Sequence, residues 1–273
     1  TSLTSDVELI DEVSQNVVTS TTGGVWPRAW HTATALATGH FALVGGFVDT
    51  GAGVEASATA EIVYPEAGHK VELLKNSPEK ARVGHTATMV DAATHTILLV
   101  GGDVDGTPTY ELWNPNDGSN GARALPDATL RRFHEATIFD VPGRAEPAVL
   151  ISGGETDDGS VLDTALVYDV ASDAMIIHSG KMAKGARTQH SATYVPGQSF
   201  IYLAGGFEDT DRAVASDAVD VYDVGADVFL GNTGGLKLDT PRGGHSAVAL
   251  DGNAVFMVGG AAGGGEALDS IEI

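Results

Sequence analysis

The chain has no cysteine among its 273 residues. No disulfide, thiolate nucleophile, cysteine-ligated zinc or iron–sulfur cluster is therefore open to it. Basic residues are scarce, 15 against 37 acidic, which leaves a net charge of −22. That balance repels a phosphate backbone and an anionic bilayer surface, and it argues against nucleic acid as a partner. No apolar run reaches the length needed to insert into a membrane as a helix. Helical periodicity of useful length is absent. Neither G-x-S-x-G nor H-E-x-x-H occurs, and His40, His69, His95 and His178 show no metal-ligand spacing. Asp157 and Asp158 are adjacent turn residues, not a separated glycosidase pair. A cysteine-free, acidic chain fits an exported protein, extracellular, periplasmic or at the cell surface, although no leader-like segment follows Thr1.

What is abundant is glycine, 35 residues, together with 42% hydrophobic residues. The first implies many tight turns and the second a real core. The turns are ordered by a repeat. "RAWHTATAL" at Arg28 returns as "RVGHTATMV" at Arg82, "RRFHEATIF" at Arg131, "RTQHSATYV" at Arg187 and "RGGHSAVAL" at Arg242. The spacings are 54, 49, 56 and 55 residues. Each string is followed by a turn and an apolar run ending in a glycine pair: Gly45–Gly46, Gly101–Gly102, Gly153–Gly154, Gly205–Gly206 and Gly259–Gly260. A third element, "AEIVYP", "YELWNP", "ALVYDV" or "VDVYDV", follows the first four pairs. Seven residues beyond its aromatic stand Val71, Asn120, Met175 and Phe229. Every unit reads as four short, half-alternating strands separated by Gly, Asp, Asn and Pro turns.

A period near 50 residues with four strands and a glycine pair resembles the kelch-repeat β-propeller family, which includes bacterial kelch proteins and propellers like the central domain of galactose oxidase. The resemblance covers almost the whole chain and departs at the fourth strand, where the usual Trp is replaced by Val71, Met175 and Phe229 and lost at Asn120. It implies a single all-β domain over 1–273, with four-stranded antiparallel blades at about 28–74, 82–124, 131–178 and 187–230. The fifth, 242–273, is expected to be completed by 5–20, because "SDVELIDEVSQNVVTS" aligns with "SDAVDVYDVGADVFLG". Pairing the two termini in one blade would close the ring without an exposed edge. The alternative is a segment of a six- or seven-bladed propeller. Some proteins of this kind are copper-radical oxidases built on a Cys–Tyr crosslink, a route closed here. Others isomerise sialic acids, and no residue of this chain carries those roles over.

Arg28, His31, Arg82, His85, Arg131, His134, Arg187, His190, Arg242 and His245 recur in every unit, as do the glycine pairs. What every unit repeats is what every unit needs in order to fold, so these are expected to be scaffold. Candidate ligand contacts are the residues that vary at equivalent places: those before each His (Trp30, Gly84, Phe133, Gln189, Gly244) and those after each glycine pair (Phe47, Asp103, Glu155, Phe207, Ala261). Both sets are expected around one mouth of the channel. Trp30, Phe47, Asp103, Phe133, Glu155, Gln189, Phe207 and Asp209 form the expected site, aromatics beside carboxylates suited to a cationic or hydroxyl-rich ligand. The function this implies is a non-catalytic binding propeller for a protein or glycan; the alternative is an epimerase, lyase or hydrolase acting on carbohydrate. No cofactor is expected, with calcium in the Asp-rich loops after the glycine pairs as the variant reading.

Overall fold

The computed structural model describes residues 7–10, 17–20, 26–65, 70–251 and 253–273, the first two segments as backbone alone. Apart from one 3-10 turn at Gly263–Gly265, the regular elements among the described residues are β-strands. No helix is long and apolar enough to cross a membrane. The chain divides into two compact units, Thr1–Ala124 and Leu125–Ile273.

The first unit holds a hairpin, two larger sheets and a three-stranded ribbon. The hairpin pairs Val7–Ile10 with Val17–Ser20 in a register that sets Ile10 opposite Val17. Tyr168 opposite Met175 and Tyr222 opposite Phe229 show the same seven-residue offset between third and fourth strands. Residues 5, 6 and 11–16 of the segment expected to complete a blade lie outside the described residues. Sheet one runs Thr32–Ala35, Phe41–Val44, Ala60–Tyr64, Lys70–Leu73, in sequence order and antiparallel. A small ribbon of Arg28–Ala29, Phe47–Asp49 and Val54–Ala56 stands beside it. Sheet two is Thr86–Asp91, Thr96–Val100, Thr109–Asn114 and Gly118–Ser119. Its fourth strand is two residues long, and Asn120 falls just past it. The third strand is paired further along by Arg123–Ala124.

The second unit holds three sheets. Sheet three is Glu135–Phe139, Ala148–Ser152, Thr164–Asp169, Ala174–Lys181; sheet four is Ser191–Val195, Phe200–Ala204, Val219–Asp223, Val228–Phe229. Sheet five has Ser246–Leu250, Ala254–Val258 and a third strand of its own, Ile271–Glu272, which pairs with Met257 and Val258. Tight turns between third and fourth strands are closed by Asn114, Asp169 and Asp223, whose side-chain oxygens accept from the backbone N–H of Asn116, Ser172 and Ala226.

The second strands do not alternate. Ile97–Val100 and Ala148–Ser152 are buried on both faces, because within each unit one sheet packs face to face on the next. Ala42, Val44 and Ile62 of sheet one meet Ile97, Leu99 and Trp113 of sheet two. Leu150 and Val167 of sheet three meet Ile201, Leu203 and Tyr222 of sheet four. Each such Leu or Ile stabilises by roughly 1.5–3 kcal/mol through burial.

The repeated polar residues tie these layers together. Both glycines of each pair have positive φ, for example +65° and +84° at Gly45 and Gly46. A Cβ on Gly46 would lie 2.5 Å from the Ala29 carbonyl oxygen, and one on Gly45 2.8 Å from the His85 ring. The missing side chains seat the next repeat: Gly46 N–H donates to the Arg82 carbonyl, Gly154 to that of Arg187, Gly206 to that of Arg242. The five arginines are all buried. Four donate to the carbonyl of the first glycine of their own pair. Four meet a carboxylate on their sheet's third strand: Arg28–Glu61 at 3.1 Å, Arg82–Glu111 at 3.1 Å, Arg187–Asp220 at 2.6 Å and Arg242–Glu272 at 2.7 Å. In sheet three that register position is Leu166, opposite Ile151. Its arginine is neutralised instead by Asp127, four residues upstream, at 2.5 Å.

Each histidine for which a partner can be named reaches back to a hydroxyl of the preceding sheet: His85 Nε2 to Thr32 at 3.1 Å, His190 Nε2 to Ser152 at 2.9 Å, His245 Nε2 to Ser191 at 2.9 Å. Burial, reinforced by the adjacent arginine, holds His85 and His190 down to about 3 and His245 to about 4. These rings are neutral struts at physiological pH.

Candidate functional site

The residue before each repeated histidine must turn the chain sharply into the first strand. All five have left-handed φ: Trp30 +55°, Gly84 +65°, Phe133 +51°, Gln189 +53° and Gly244 +63°. They form hydrogen-bonded rows, Gly84 N–H to Trp30 O in the first unit, Gln189 N–H to Phe133 O and Gly244 N–H to Gln189 O in the second. Glycine occupies this conformation without penalty, whereas a side chain costs on the order of 1–2 kcal/mol. Two repeats use glycine, and three carry Trp, Phe or Gln instead.

In the first unit Trp30 is 58% exposed and its ring centroid lies 5.7 Å from that of Phe47. Phe47 is half-buried, on the ribbon strand paired with Ala29. Asp103 does not join them. It is buried, 3.1 Å from Arg82, and accepts from the Thr109 N–H. Burial raises its pKa, opposed by Arg82 and Thr109.

In the second unit the structure gathers Phe133, Glu155 and Gln189 around two arginines. Arg212 lies over the Phe133 ring at 5.4 Å, and Arg132 at 5.9 Å. Glu155 is buried beneath, 3.2 Å from Arg212 Nη2 and 3.3 Å from Arg132 Nε. Arg132 also reaches Asp157 at 3.0 Å. The Gln189 amide, turned so that both its ends are satisfied, accepts from Arg212 Nε at 3.2 Å and Nη2 at 2.7 Å. Arg212 itself has φ +58° and donates to the Thr210 carbonyl.

Two further expected contacts are corrected. Phe207 is 2% exposed, because its ring fills the space over Gly243 of the next repeat, where a Cβ would sit 2.3 Å from it. Asp209 is spent on its own loop, accepting from the N–H of Ala213 and Val214. Other loop acids do the same: Asp49 accepts from Gly51, Asp105 from Thr107, Asp158 from Ser160. Among the described residues no three His, Asp or Glu stand together in a metal-holding arrangement. In the second unit the expected free carboxylates give way to an ion-paired cluster of aromatic and guanidinium groups.

Arg132 and Arg212 are the contacts that pattern reading passes over. Their signal is rarity: one doubles a repeated arginine in "RRFH", and the other is the only base in the acidic loop "FEDTDRAVASD". Glu135 is likewise passed over. It follows His134 where the other repeats place Thr32, Thr86, Ser191 and Ser246.

No family model matches the chain, and no curated protein matches it. Among solved structures, the one titled "Structure of YjhT" superposes with a TM-score of 0.72 over 99% of this chain and 94% of that one, at 11% sequence identity. The fold is a β-propeller. At that identity the likeness carries no residue role and no activity, and the site has to be argued from its own geometry.

Proposed function

We propose that the protein is a non-catalytic recognition module that holds a partner protein on its loop end. One observation supports this reading above the others. Trp30, Phe133 and Gln189 occupy a left-handed position that glycine fills in two sibling repeats, so each keeps a side chain at a backbone cost the fold does not require. Strained positions that structure does not need are characteristic of functional surfaces. The residue types agree: Trp and Arg are prominent among the residues that carry interface binding energy, Phe is enriched at interfaces, and aromatics give contact area at low entropic cost. Arg132 and Arg212 have met their charges internally, so they add stacking area and directed N–H groups without drawing in bulk anions. Trp30 with Phe47 forms one patch, and Phe133 with Gln189, Arg132 and Arg212 another, one in each unit.

The test places the wild type on peptide and glycan arrays and then repeats the best hit with Trp30→Gly, Phe133→Gly and Gln189→Gly. The expected result is a peptide ligand whose affinity drops at least tenfold in each variant while the melting temperature does not fall. Glycans alone as hits would transfer the same surface to carbohydrate recognition. Glycine variants that bind as the wild type does would remove the surface from consideration.

A further inference from the structure

The strut between successive sheets has a fixed chemistry. Where a histidine reaches back, it finds a hydroxyl on the first strand of the preceding sheet, Thr32 for His85 and Ser191 for His245. Sheet three is built differently. Its first-strand position is Glu135, and the hydroxyl offered to His190 comes from Ser152, directly opposite Glu135 on the second strand. In the other sheets the position of Ser152 holds Val44, Val100, Ala204 or Val258. Two substitutions have thus moved the hydroxyl from one strand to its neighbour. The tie to His190 survives, and the first-strand position is released from it.

What fills the released position is a half-buried carboxyl with no hydrogen bond or ion pair among the described residues. Leaving a buried polar group unpaired costs stability, and no contact of Glu135 returns it. The groups packed around it are committed elsewhere. The second strand brings only Ser152, bonded to His190. On the first strand of sheet four the titratable Tyr194 lies away from Glu135, against Phe139 and Asp140 at the far end of the strand. His190 is neutral, and Arg187 is spent on Asp220. His134, the chain neighbour, belongs to the repeated scaffold. Burial alone acts on the Glu135 carboxyl, lifting it to about 8.

We propose that Glu135 is a ligand-binding carboxyl that takes a compact organic cation, an ammonium or guanidinium group, on the first strand of sheet three. A cation is favoured because a charge-assisted hydrogen bond to a carboxylate recovers more free energy than a neutral one. It is favoured also because a surface of net charge −22 concentrates cations. A metal ion would need several oxygen ligands, whereas an ammonium needs one carboxylate and nearby carbonyls. The charge balance is simple. The neutral acid gives up its proton to solvent as the cation arrives, leaving a carboxylate–ammonium pair and one proton released. The proposal stands apart from the recognition surface, since none of Trp30, Phe133 or Gln189 enters it.

The probes are methylammonium and methylguanidinium, with sodium at matched ionic strength and glycerol as controls. The readout is the Glu135 carboxyl carbon resonance in 13C-glutamate-labelled full-length protein, assigned by its loss in Glu135→Gln. The expected result is saturable binding of both organic cations, a lowered apparent pKa at Glu135, and a Kd that weakens about tenfold for each pH unit below 8. Glu135→Gln should fold and bind neither. An equal response to sodium or to glycerol, or none to any probe, overturns the proposal. The hydroxyl exchange is tested separately by a double-mutant cycle. Ser152→Val should lower the melting temperature in the wild type and much less in Glu135→Thr, where the new threonine can receive His190. Additive effects would show that the position was never released.

Discussion

Trp30 allows the backbone argument to be tested apart from binding. Trp30→Ala and Trp30→Gly delete the same contacts, the ring packing against Phe47 5.7 Å away. They differ only in what remains on a backbone with φ +55°. Alanine keeps a Cβ in the left-handed region, at about 1–2 kcal/mol. Glycine sheds that strain but has more unfolded-state freedom to lose, about 0.5–1 kcal/mol. The balance makes the glycine variant the more stable by about 1 kcal/mol, or 2–4 °C in melting temperature for a chain of this size. Val54 provides the control. It is equally exposed at 58% and lies outside the left-handed region. There the order should invert, with Val54→Ala more stable than Val54→Gly by roughly 0.5–1 kcal/mol. The assay is reversible thermal or urea unfolding of the four variants. If Trp30→Gly falls below Trp30→Ala as it does at Val54, the position carries no strain, and the inference from strain to function goes with it.

Three other outcomes are expected. Asp127→Asn should destabilise by about 3 kcal/mol, because Arg131 is left buried without its counter-charge; adding Leu166→Glu restores the arrangement of the other sheets and should recover at least half of that loss in urea titrations. Gly46→Ala, whose Cβ would meet backbone at 2.5 Å, should cost several-fold more than Gly51→Ala, which has similar φ but nothing within 4 Å. Stability should fall on both sides of about pH 6. Unfolded histidines titrate near 6.5, whereas His85 and His190 stay neutral to about 3 in the fold, so the unfolded state binds more protons below 6.5 and each histidine costs about 2 kcal/mol at pH 5. Glu135 acts oppositely: folded, it keeps its proton to about 8, so stability is lost as pH rises from about 4.5 to 8, by about 2 kcal/mol at pH 7 once its contact with solvent is allowed for. Glu135→Gln should flatten the alkaline limb and His85→Gln the acid limb in pH-dependent melts.

Much of the fold was readable because the repeat states it five times. Strand order within each sheet, the offset that sets Ile10 opposite Val17, and the glycine turns all follow from aligned strings. The site was less legible, for identifiable reasons. Phe47 and Phe207 hold equivalent positions, yet one is half-buried and the other covered, because the ring of Phe207 rests over Gly243 of another repeat. Asp103 and Glu155 look like free loop acids until Arg82, Arg132 and Arg212 are placed beside them. The third-strand carboxylates that neutralise four of the repeated arginines sit 29 to 33 residues away along the chain, and their equivalence emerges only from the strand register that lines up Glu61, Glu111, Leu166, Asp220 and Glu272.

Departures from the repeat fall into two physical kinds, and the proposed function rests on the distinction. Leu166 removes a counter-charge, and Asp127 supplies another; the change is closed within the scaffold. Ser152 replaces an apolar residue, and His190 keeps its hydroxyl; that change too is closed. Trp30, Phe133 and Gln189 add strain where glycine serves elsewhere, and nothing in the scaffold depends on it. Glu135 is the residue for which both kinds meet: its replacement of a hydroxyl is compensated at His190, but the carboxyl itself is left with a desolvation cost and no contact to offset it. A free-energy cost that no internal contact offsets persists when something outside the chain offsets it. By that reasoning the uncompensated residues are the ones we propose to face a ligand, and the repeated Arg, His and Gly–Gly are the frame that holds them.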